Sequence, residues 1–373
     1  MDFGIKRVLL EQGAESTPLG SRILERISGR DVERLPDQRE RSVGSFDKRT
    51  LQLGSFPGQS LKKCPGTKGY ICCGYQIFHM GTNCPFDCSY CILQAYLNQP
   101  YLRVFTNLDE KLVHLAAHLD AHPERLFRIG TGEFTDSLAL DPVVGWTDFL
   151  IPFFKDRLNA VLELKTKSTH TERLLRYPHR KRIVVSWSLN SSYVSSREEH
   201  KAPSIRQRLE AARSCQREGF VAGFHFDPLI PHSGWKDEYR KTVDLMSELI
   251  DPEKIIWISM GCMRYLPELK SIIRKRHPGS VVLNGEFIPG LDGKMRLFKP
   301  IRTEMYAFMA ELLAKWHKDM GIYLCMESPD IWQEALGWTP VDSEGLSGFL
   351  DNRVKRFWPT KFPITNVQYP ISR

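Results

Sequence analysis

The sequence predicts an α/β protein built around a parallel sheet, and three observations lead to that prediction. Six short apolar segments with the character of strands recur between residues 74 and 260. Helical patterns lie between these segments, so strands and helices alternate along the chain. A cysteine-rich segment follows the first strand, at the edge where parallel sheets carry their chemistry. The alternation favours a parallel α/β barrel or a doubly wound sheet.

The chain before the alternation predicts little regular structure. Residues 17–27 (TPLGSRILERI) show a helical pattern, and residues 30–49 are charged and lack apolar periodicity. The charged stretch therefore predicts a loop or an ordered arm that lies over the surface. We expect residues 1–70 to form an N-terminal helix and arm that pack on the barrel.

Residues 71–280 contain the alternating elements. Leucines recur at three- and four-residue steps in residues 107–121, which predicts a helix. Residues 203–217 place Ile205, Leu209 and Ala212 on one helical face, and Gly219 follows as a stop. The six predicted strands are 74–81, 125–130, 159–165, 182–188, 220–226 and 254–260.

Residues 281–373 have a different character and predict an extension of the barrel. The segments VVLNGEF and KMRLF flank PGLDG, in which Asp292 and Gly293 form a hairpin-turn pair. A long helix is predicted at about residues 300–318. We therefore expect a hairpin followed by a helical extension.

Composition and charge restrict the class of protein. Of the 373 residues, 42% are hydrophobic and 26% are charged, as in an ordinary soluble protein. No apolar run approaches the roughly 18 residues of a membrane-spanning helix. The first residues carry acids in place of a hydrophobic leader, so we predict a cytoplasmic protein without a membrane partner. The net charge of +8 permits a polyanionic partner but does not require one.

The most informative motif is a group of three cysteines in the segment NCPFDCSYCILQ. Cys84, Cys88 and Cys91 follow the spacing C-x3-C-x2-C. Three thiolates can hold three corners of a [4Fe–4S] cube and leave one iron free to chelate a small molecule. The spacing resembles that of the radical S-adenosylmethionine (SAM) superfamily. That resemblance implies that SAM binds the free iron and is cleaved to a 5′-deoxyadenosyl radical.

A structural zinc site is the alternative interpretation of the three cysteines. Zinc takes four tetrahedral ligands, so a fourth would have to come from Cys64, Cys72, Cys73 or His79. A disulfide framework is not expected, because the chain is long and its nine cysteines are an odd number.

Most of the chain resembles one family of that superfamily, spore photoproduct lyase and its relatives. The similar segments occur in the same order; they are TPLGSRILERI, CSYCILQ, QPYLRVFTNLDE, LKTKSTHTERLL, SLNSSYV, IRQRLEAA and the stretch from Gly223 to Trp235. The resemblance implies a partial (β/α)6 radical SAM barrel and a lyase-type enzyme that repairs a thymine-dimer lesion. It also implies lesion-bearing DNA as a partner and an external electron donor of the flavodoxin or ferredoxin type.

The resemblance also implies which residues bind the cofactors. Cys84, Cys88 and Cys91 would hold the cluster. The residues implied for SAM are Tyr90, Gly132, Glu133, Lys167, Ser188 and Asn190. Glu133 can accept hydrogen bonds from the SAM ammonium group, and Lys167 can pair with the SAM carboxylate. Most of these residues follow predicted strands, so the alternative is a polar residue that caps a strand end.

Two positions depart from the lyase pattern. The family has a hydrogen-returning cysteine where this chain has Glu133, and a second tyrosine where it has Ile92. Neither Glu nor Ile can donate a hydrogen atom as a thiol does. We predict that Cys262, just after the sixth strand, is the substitute donor and acts in catalysis together with Tyr90. A buried cysteine of the core is the alternative for Cys262.

Cys64, Cys72 and Cys73 form a second group of cysteines. Cys73 precedes Cys84 by eleven residues. At ~3.3 Å per residue, an extended strand of that length would separate them by more than about 25 Å. We therefore expect the group at the opposite, amino-terminal end of the barrel, in a structural role. A second metal site is the alternative.

Contacts to DNA are predicted in and before the hairpin, because a lesion in a duplex must be flipped out before a radical can reach it. The residues predicted for these contacts are Arg264, Tyr265, Lys294, Arg296 and Lys299. A solvated basic hairpin is the alternative. Two other functions stay open: radical chemistry on a peptide or small molecule, and non-catalytic nucleic-acid binding with a structural metal.

Overall fold

The computed structural model describes residues 4–35, 47–64, 66–67 and 69–359. Its strands are β1 (Arg7–Leu10), β2 (Asp31–Arg34), β3 (Thr50–Gly54), β4 (Leu61–Lys63), β5 (Gln76–Phe78), β6 (Gly81–Thr82), β7 (Asp87–Cys88), β8 (Leu102–Phe105), β9 (Phe127–Gly130), β10 (Ala160–Thr166), β11 (Ile183–Ser188), β12 (Glu199–His200), β13 (Val221–Leu229), β14 (Ile255–Cys262), β15 (Arg264–Tyr265), β16 (Phe287–Pro289), β17 (Met295–Leu297) and β18 (Ile322–Leu324).

The helices fill the connections between these strands. They are α1 (Pro18–Arg26), α2 (Leu93–Tyr96), α3 (Leu108–Asp120), α4 (Asp141–Val144), α5 (Thr147–Lys155), α6 (Glu172–Leu175), α7 (Ser192–Glu198), α8 (Ile205–Arg217), α9 (Trp235–Leu249), α10 (Pro267–Arg276), α11 (Lys299–Trp316), α12 (Pro329–Leu336) and α13 (Ser343–Phe357). Two short 3₁₀ helices cover Ala14–Ser16 and Pro252–Lys254.

The centre of the fold is a sheet of eight strands in the order β18-β14-β13-β11-β10-β9-β5-β4. The first seven are parallel, and β4 runs antiparallel to β5 at one edge. The end strands β18 and β4 do not pair with each other, so the sheet forms an open, partial barrel. This confirms the predicted fold class.

All six predicted strands are present, as β5, β9, β10, β11, β13 and β14. Every residue of β11 and β14 is buried, as expected for parallel strands that are covered on both faces. The sequence pattern does not predict the seventh parallel strand, β18, because its three residues are too few to show a period.

Helix α8 shows how the sequence sets the boundaries of the elements. The amide of Gln207 donates to the Ser204 hydroxyl, and the Gln207 side chain accepts from the Ser204 amide. This reciprocal cap satisfies two amides at the beginning of the helix. Gly219 follows the end of the helix with a φ of +90°, which glycine adopts without strain. The helices predicted over 107–121 and 203–217 are confirmed as α3 and α8.

A second sheet, in the order β2-β1-β3-β8-β6, corrects the prediction for the N-terminal region. The sequence predicts a helix and an arm there. Helix α1 is present, but β1 and β3 are strands with mostly buried side chains. Strand β3 is held by parallel pairing with β8, which sets Leu51 opposite Leu102, and no local pattern reveals such a distant partner.

The charged stretch over residues 30–49 is partly a strand. Strand β2 is exposed along its whole length and pairs in parallel with β1. Its backbone, rather than any apolar side chain, gives it a place in the sheet. Residues 36–46 of the stretch lie outside the described ranges.

The C-terminal region contains the predicted hairpin and helix. Strands β16 and β17 are antiparallel, β15 adds a third strand to them, and helix α11 follows. Helix α13 then packs at the amino-terminal end of the main sheet. There Arg128 of β9 donates to Asp351 and to the Ser347 hydroxyl, both at 2.8 Å. Helix α13 therefore covers the end of the barrel opposite to the cysteine loop.

No helix in the described part of the chain combines the length and the apolar character needed to cross a bilayer. The division of the chain at residues 70 and 280 stays a prediction, as does the cytoplasmic location.

Candidate active site

A cavity of about 290 Å³ opens at the carboxyl ends of the parallel strands. Its walls come from the cysteine loop after β5, from the segments after β9 and β10, and from the ends of β11 and β13. Strand β15 and the hairpin contribute the remaining side. In parallel sheets this edge brings together the side chains that follow different strands.

Cys84, Cys88 and Cys91 all line this cavity. Cys88 lies in β7, which pairs with β12 so that Cys88 stands opposite Glu199. The side chain of Asn83 donates to the carbonyls of Pro100 and Tyr101, both at 3.2 Å. These contacts hold the loop from two sides, so that its three cysteines face the same cavity.

The three cysteines fit the ligand set of a [4Fe–4S] cluster with one open iron. None of them is in a disulfide. Burial raises the pKa of Cys84 and raises that of Cys88 to about 12, so these thiols stay protonated until a metal displaces the proton. A cubic cluster gives each thiolate its own iron atom, so the three sulfurs need not converge on one point.

The structure does not form the zinc site that the sequence left open. Among the described residues, no three histidine, cysteine, aspartate or glutamate side chains are arranged to hold one metal ion. His79 packs against the rings of Phe56, Phe105 and Phe134, at centroid distances of 5.0, 4.9 and 4.7 Å. His79 is therefore enclosed by aromatic rings and does not serve as a fourth ligand.

Gly132 and Glu133 line the cavity after β9, as the sequence predicts. A side chain at Gly132 would place its Cβ 2.8 Å from the Lys165 carbonyl, so only glycine lets the chain pass β10 at this point. Glu133 pairs with Lys165, whose Nζ lies 3.4 Å from Oε1. Burial alone would lower the pKa of Lys165, but the Glu133 and Asp227 carboxylates raise it above its ordinary value.

The sequence interpretation missed Lys165, although a pattern for it exists. Lys165 and Lys167 are two positions apart at the end of β10, and alternate residues of a strand share one face. Both line the cavity.

Asp136 is a second residue that was missed. Its Oδ1 accepts from the Thr166 hydroxyl at 2.5 Å, and its Oδ2 accepts from the Lys167 amide at 2.7 Å. Asp136 therefore ties the segment after β9 to the end of β10 and fixes where Lys167 leaves the strand.

Tyr90 and Lys167 meet at a buried carboxylate, Glu199. The Tyr90 hydroxyl donates to Glu199, and Lys167 Nζ lies 3.9 Å from Glu199 Oε1 and 5.6 Å from the centre of the Tyr90 ring. Burial alone would raise the pKa of Glu199, but Arg208 and Lys167 lower it, so the carboxylate is ionised. Glu199 lies outside the motifs and could not be assigned from the sequence.

Ser188 lines the cavity, whereas Asn190 does not. Asn190 is 1% exposed. Its amide donates to the Pro228 carbonyl at 2.8 Å, and its oxygen accepts from the Tyr239 hydroxyl at 2.6 Å. Because its side chain is used by these internal bonds, we do not retain Asn190 among the SAM contacts.

Arg264 and Lys294, both predicted to contact DNA, line the opposite side of the cavity. Arg264 forms a two-bond pair with Asp227, at 3.2 and 2.9 Å. Lys294 donates to the Thr67 hydroxyl at 3.2 Å. Asp227 fixes the guanidinium and was not identified from the sequence.

The other three predicted DNA contacts are corrected by the structure. Tyr265 is 1% exposed and Arg296 is 2% exposed, so neither side chain reaches a surface. Arg296 pairs with Asp292 of its own hairpin at 2.7 Å. Lys299 is at the surface but donates to Asp330 at 2.6 Å and Glu334 at 2.7 Å. A basic residue in a hairpin sequence can thus form an ion pair within the hairpin and not contact a ligand.

Cys262 is placed away from the cavity. It is 1% exposed, is not among the described residues that line the cavity, and its amide donates to the Tyr306 hydroxyl at 2.6 Å. The last residue of β14 turns into the core, so the structure favours the alternative that the sequence left open, a buried core cysteine.

Cys64 lines the cavity, which corrects the expectation for the second group of cysteines. That expectation assumed one extended strand from Cys73 to Cys84, but β5 has three residues and β4 runs back beside it. Burial and the Glu133 carboxylate raise the pKa of Cys64 to about 12. Cys73 does lie toward the covered end of the barrel, where Arg128 donates to its carbonyl at 2.6 Å.

Comparisons with known proteins agree on one family. The family model for spore photoproduct lyase matches residues 5–286. The chain belongs to the spore photoproduct lyase family. It is 25% identical over 290 residues to the spore photoproduct lyase of a Geobacillus species, covering 74% of this chain and 83% of the relative. It is 23% identical over 310 residues to that of Clostridium acetobutylicum, covering 80% and 88%.

Solved structures of spore photoproduct lyase share this fold. A lyase complexed with dinucleoside spore photoproduct matches with a TM-score of 0.76 at 23% identity, over 87% of this chain and 99% of that one. A mutant lyase with bound AdoMet and dinucleoside spore photoproduct matches with a TM-score of 0.75 at 22% identity, over 87% and 98%. Membership of the spore photoproduct lyase family confirms the prediction of a lyase-type radical SAM enzyme that uses a [4Fe–4S] cluster and SAM.

Proposed function

We propose that this protein repairs a thymine-dimer lesion in DNA by radical SAM chemistry. The observation that carries the proposal is the single cavity that Cys84, Cys88 and Cys91 share with Glu133 and Lys167. The thiols are suitable donors for a cluster with an open iron. The two charged side chains are complementary to the ammonium and the carboxylate of SAM.

Cys84, Cys88 and Cys91 would hold the cluster, and SAM would bind its open iron. When bound, these cofactors supply a 5′-deoxyadenosyl radical that removes a hydrogen atom from the substrate. The protein's own part is to orient SAM and the substrate, to keep the charged groups in place and to supply a hydrogen atom at the end.

The charged residues around the cavity are positioned for SAM by their neighbours. Glu133 would accept hydrogen bonds from the SAM ammonium group, and Lys165, with its Nζ 3.4 Å from Glu133 Oε1, holds that carboxylate in position. Lys167 would pair with the SAM carboxylate, and its backbone amide is fixed by a hydrogen bond to Asp136. Ser188 and Tyr90 line the same cavity and are available to the ribose and the adenine.

The opposite side of the cavity suits a lesion that is flipped out of DNA. Arg264 and Lys294 are cations held in place by Asp227 and Thr67. Asp227 and Asp292, at 2.9 Å from Arg264 and 3.6 Å from Lys294, already balance these charges, so the two side chains would contact a flipped nucleotide by donating hydrogen bonds with their remaining N–H groups. The related lyase structure with dinucleoside spore photoproduct supports this class of substrate.

Cys64, and not Cys262, is the thiol that we infer returns the hydrogen atom. Cys64 lines the cavity beside Glu133, and burial keeps its thiol protonated. The Cys64 S–H bond breaks and a C–H bond forms on the substrate radical, which leaves a thiyl radical. One electron from an external donor of the flavodoxin or ferredoxin type and one solvent proton restore the thiol.

The test of the function is an anaerobic assay with the reconstituted protein, SAM, a reductant and oligonucleotides with or without the thymine-dimer lesion. We expect 5′-deoxyadenosine together with repaired DNA from the lesion-bearing strand only. Formation of 5′-deoxyadenosine without any DNA product would indicate that the substrate is not this DNA lesion but a molecule of another class. The absence of both products would contradict the radical SAM assignment.

The test of the hydrogen donor is the same assay in D₂O. We expect the Cys64→Ala enzyme to lose deuterium incorporation and most of the repaired product. The matched control is Cys262→Ala, which removes a cysteine of the core and should keep both. A Cys64→Ala enzyme with the wild-type product and deuterium content would sink the assignment.

A further inference from the structure

A second groove, of about 390 Å³, lies at the edge of the main sheet between β4, β5 and helix α3. Strand β5 separates it from the cavity described above. Ile77 faces the cavity, while Gln76 and Phe78 face the groove, as alternate residues of a strand must. The groove is therefore on the outer face of the barrel and is a different site.

The groove is lined by basic side chains from three parts of the chain. They are Lys62 and Lys63 of β4, Lys111, His114 and His118 of α3, and Arg125 before β9. No aspartate or glutamate is among the described residues that line it. Such a one-sided charge attracts a polyanion.

Three of these cations are free to bind a ligand. Lys62, Lys63 and Arg125 are exposed, and within the described ranges none of them has an ion pair. The charged groups of two of them lie over aromatic rings. Lys62 Nζ lies 5.8 Å from the centre of the Phe56 ring, and the Arg125 guanidinium lies 5.0 Å from that of Phe127.

Lys111 forms the floor of the groove. It is 6% exposed, donates to the Gly58 carbonyl at 3.3 Å and lies 3.5 Å from Glu110. Its charge is thus partly compensated, and it fixes the loop before β4 against α3. Lys62 and Lys63 are carried by strand β4 and Lys111 by helix α3, while Arg125 lies in the bend before β9.

We propose that this groove binds the phosphodiester backbone of a nucleic acid strand. Lys63 pairs with Gln76 of β5 and is followed directly by Cys64, which lines the cavity, so the groove and the cavity share this edge of the sheet. Backbone contacts of this kind set the position of a nucleic acid without reading its sequence. The inference rests on the nucleic-acid substrate proposed above and adds a docking surface outside the cavity.

Salt-dependent binding of the full-length protein to a lesion-free, single-stranded oligonucleotide tests the groove. The variant is Lys62→Gln with Lys63→Gln. The matched control is Arg213→Gln with Arg217→Gln, two exposed cations of α8, on the outer face of β11 and β13. Both double variants remove two positive charges. Thermal melting checks that each one is folded.

We expect the groove variant to bind several-fold more weakly. Its plot of log K against log salt should be shallower by roughly 0.7 for each phosphate that the variant no longer neutralises. The control should keep the wild-type slope. Equal slopes for both double variants, or a wild-type protein that does not bind the oligonucleotide, would overturn the proposal.

Failure of the groove and failure of the proposed function give different results. A groove variant that repairs the lesion and binds with the wild-type slope rejects the groove and leaves the function standing. If the wild-type protein repairs no lesion, and the groove variant has a shallower salt dependence of binding than the wild type, the function is rejected and the groove is supported.

Discussion

The Glu199 carboxylate and the Arg208 guanidinium form a 2.5 Å ion pair whose side chains are 1% and 0% exposed. Around this pair are the two residues that shape one wall of the active site. Tyr90 donates to the carboxylate, and Lys167 lies 3.9 Å from it. Arg208 in turn donates to the Ser188 carbonyl at 3.0 Å. The ion pair therefore connects the cysteine loop to helix α8 and to the end of β11.

Replacing Glu199 by Gln should destabilise the protein by about 3–5 kcal/mol, because it leaves the buried Arg208 charge without its carboxylate. Urea unfolding followed by circular dichroism measures the change. Glu218→Gln is the control, since Glu218 is exposed and lies 3.8 Å from Arg180 at the surface. The control should change the free energy of unfolding by less than about 0.5 kcal/mol. Equal effects for both variants would contradict the role given to the buried pair.

Replacing Cys88 by Ala should remove the cluster. We expect bound iron to fall from about four atoms per chain to nearly none, because two thiolates cannot hold the cube. Colorimetric iron analysis after anaerobic reconstitution measures this. The control is Cys215→Ala, a cysteine buried in α8 that should keep the full iron content. About eight iron atoms per wild-type chain would instead show a second cluster held by cysteines outside this loop.

Replacing Glu133 by Gln should weaken SAM binding roughly ten- to hundredfold, since a hydrogen bond to a charged group contributes about 1.5–3 kcal/mol. Equilibrium dialysis with labelled SAM and the reconstituted protein gives the dissociation constant. Glu172→Gln, an exposed carboxylate of α6, should bind SAM as the wild type does. An unchanged dissociation constant for Glu133→Gln would show that Glu133 does not contribute to SAM binding.

His79 should make the fold sensitive to acid. Burial and the nearby Lys62 lower its pKa from 6.5 to about 4. As the pH falls from 6.5 towards 4, the unfolded chain binds a proton that the folded chain excludes, so stability is lost across this range. His79→Phe should therefore show a smaller fall in melting temperature between pH 7 and pH 5 than the wild type. An identical fall in both proteins would contradict the shift.

The sequence predicted the elements whose pattern is local. The six parallel strands are apolar segments that recur between helical patterns, and the three cysteines lie within eight residues, so both are visible without tertiary structure. The N-terminal sheet is different. Strand β3 pairs with β8 far along the chain, and strand β2 has no apolar side chain in the core. Only the pairing itself makes these segments strands.

The sequence predicted those residues of the candidate site that directly follow strands, and it did not predict the others. Gly132, Glu133 and Lys167 follow strands and line the cavity, as expected. Asn190 also follows a strand, but its amide is used by Pro228 and Tyr239. Arg296 was predicted to contact a ligand, but in the folded hairpin its guanidinium is paired with Asp292. The sequence shows that a polar group is present, and only the fold shows which residue it is hydrogen-bonded to or paired with.

Helix α13 has a consequence for how the molecule is made in the cell. It seals the barrel through Arg353, which donates to the carbonyl of Ile256 at 2.8 Å, and through Asp351, which pairs with Arg128 across 223 positions of sequence. A ribosome must release nearly all of these strands before the helix that seals them emerges. Until helix α13 has formed, the barrel is therefore open at that end.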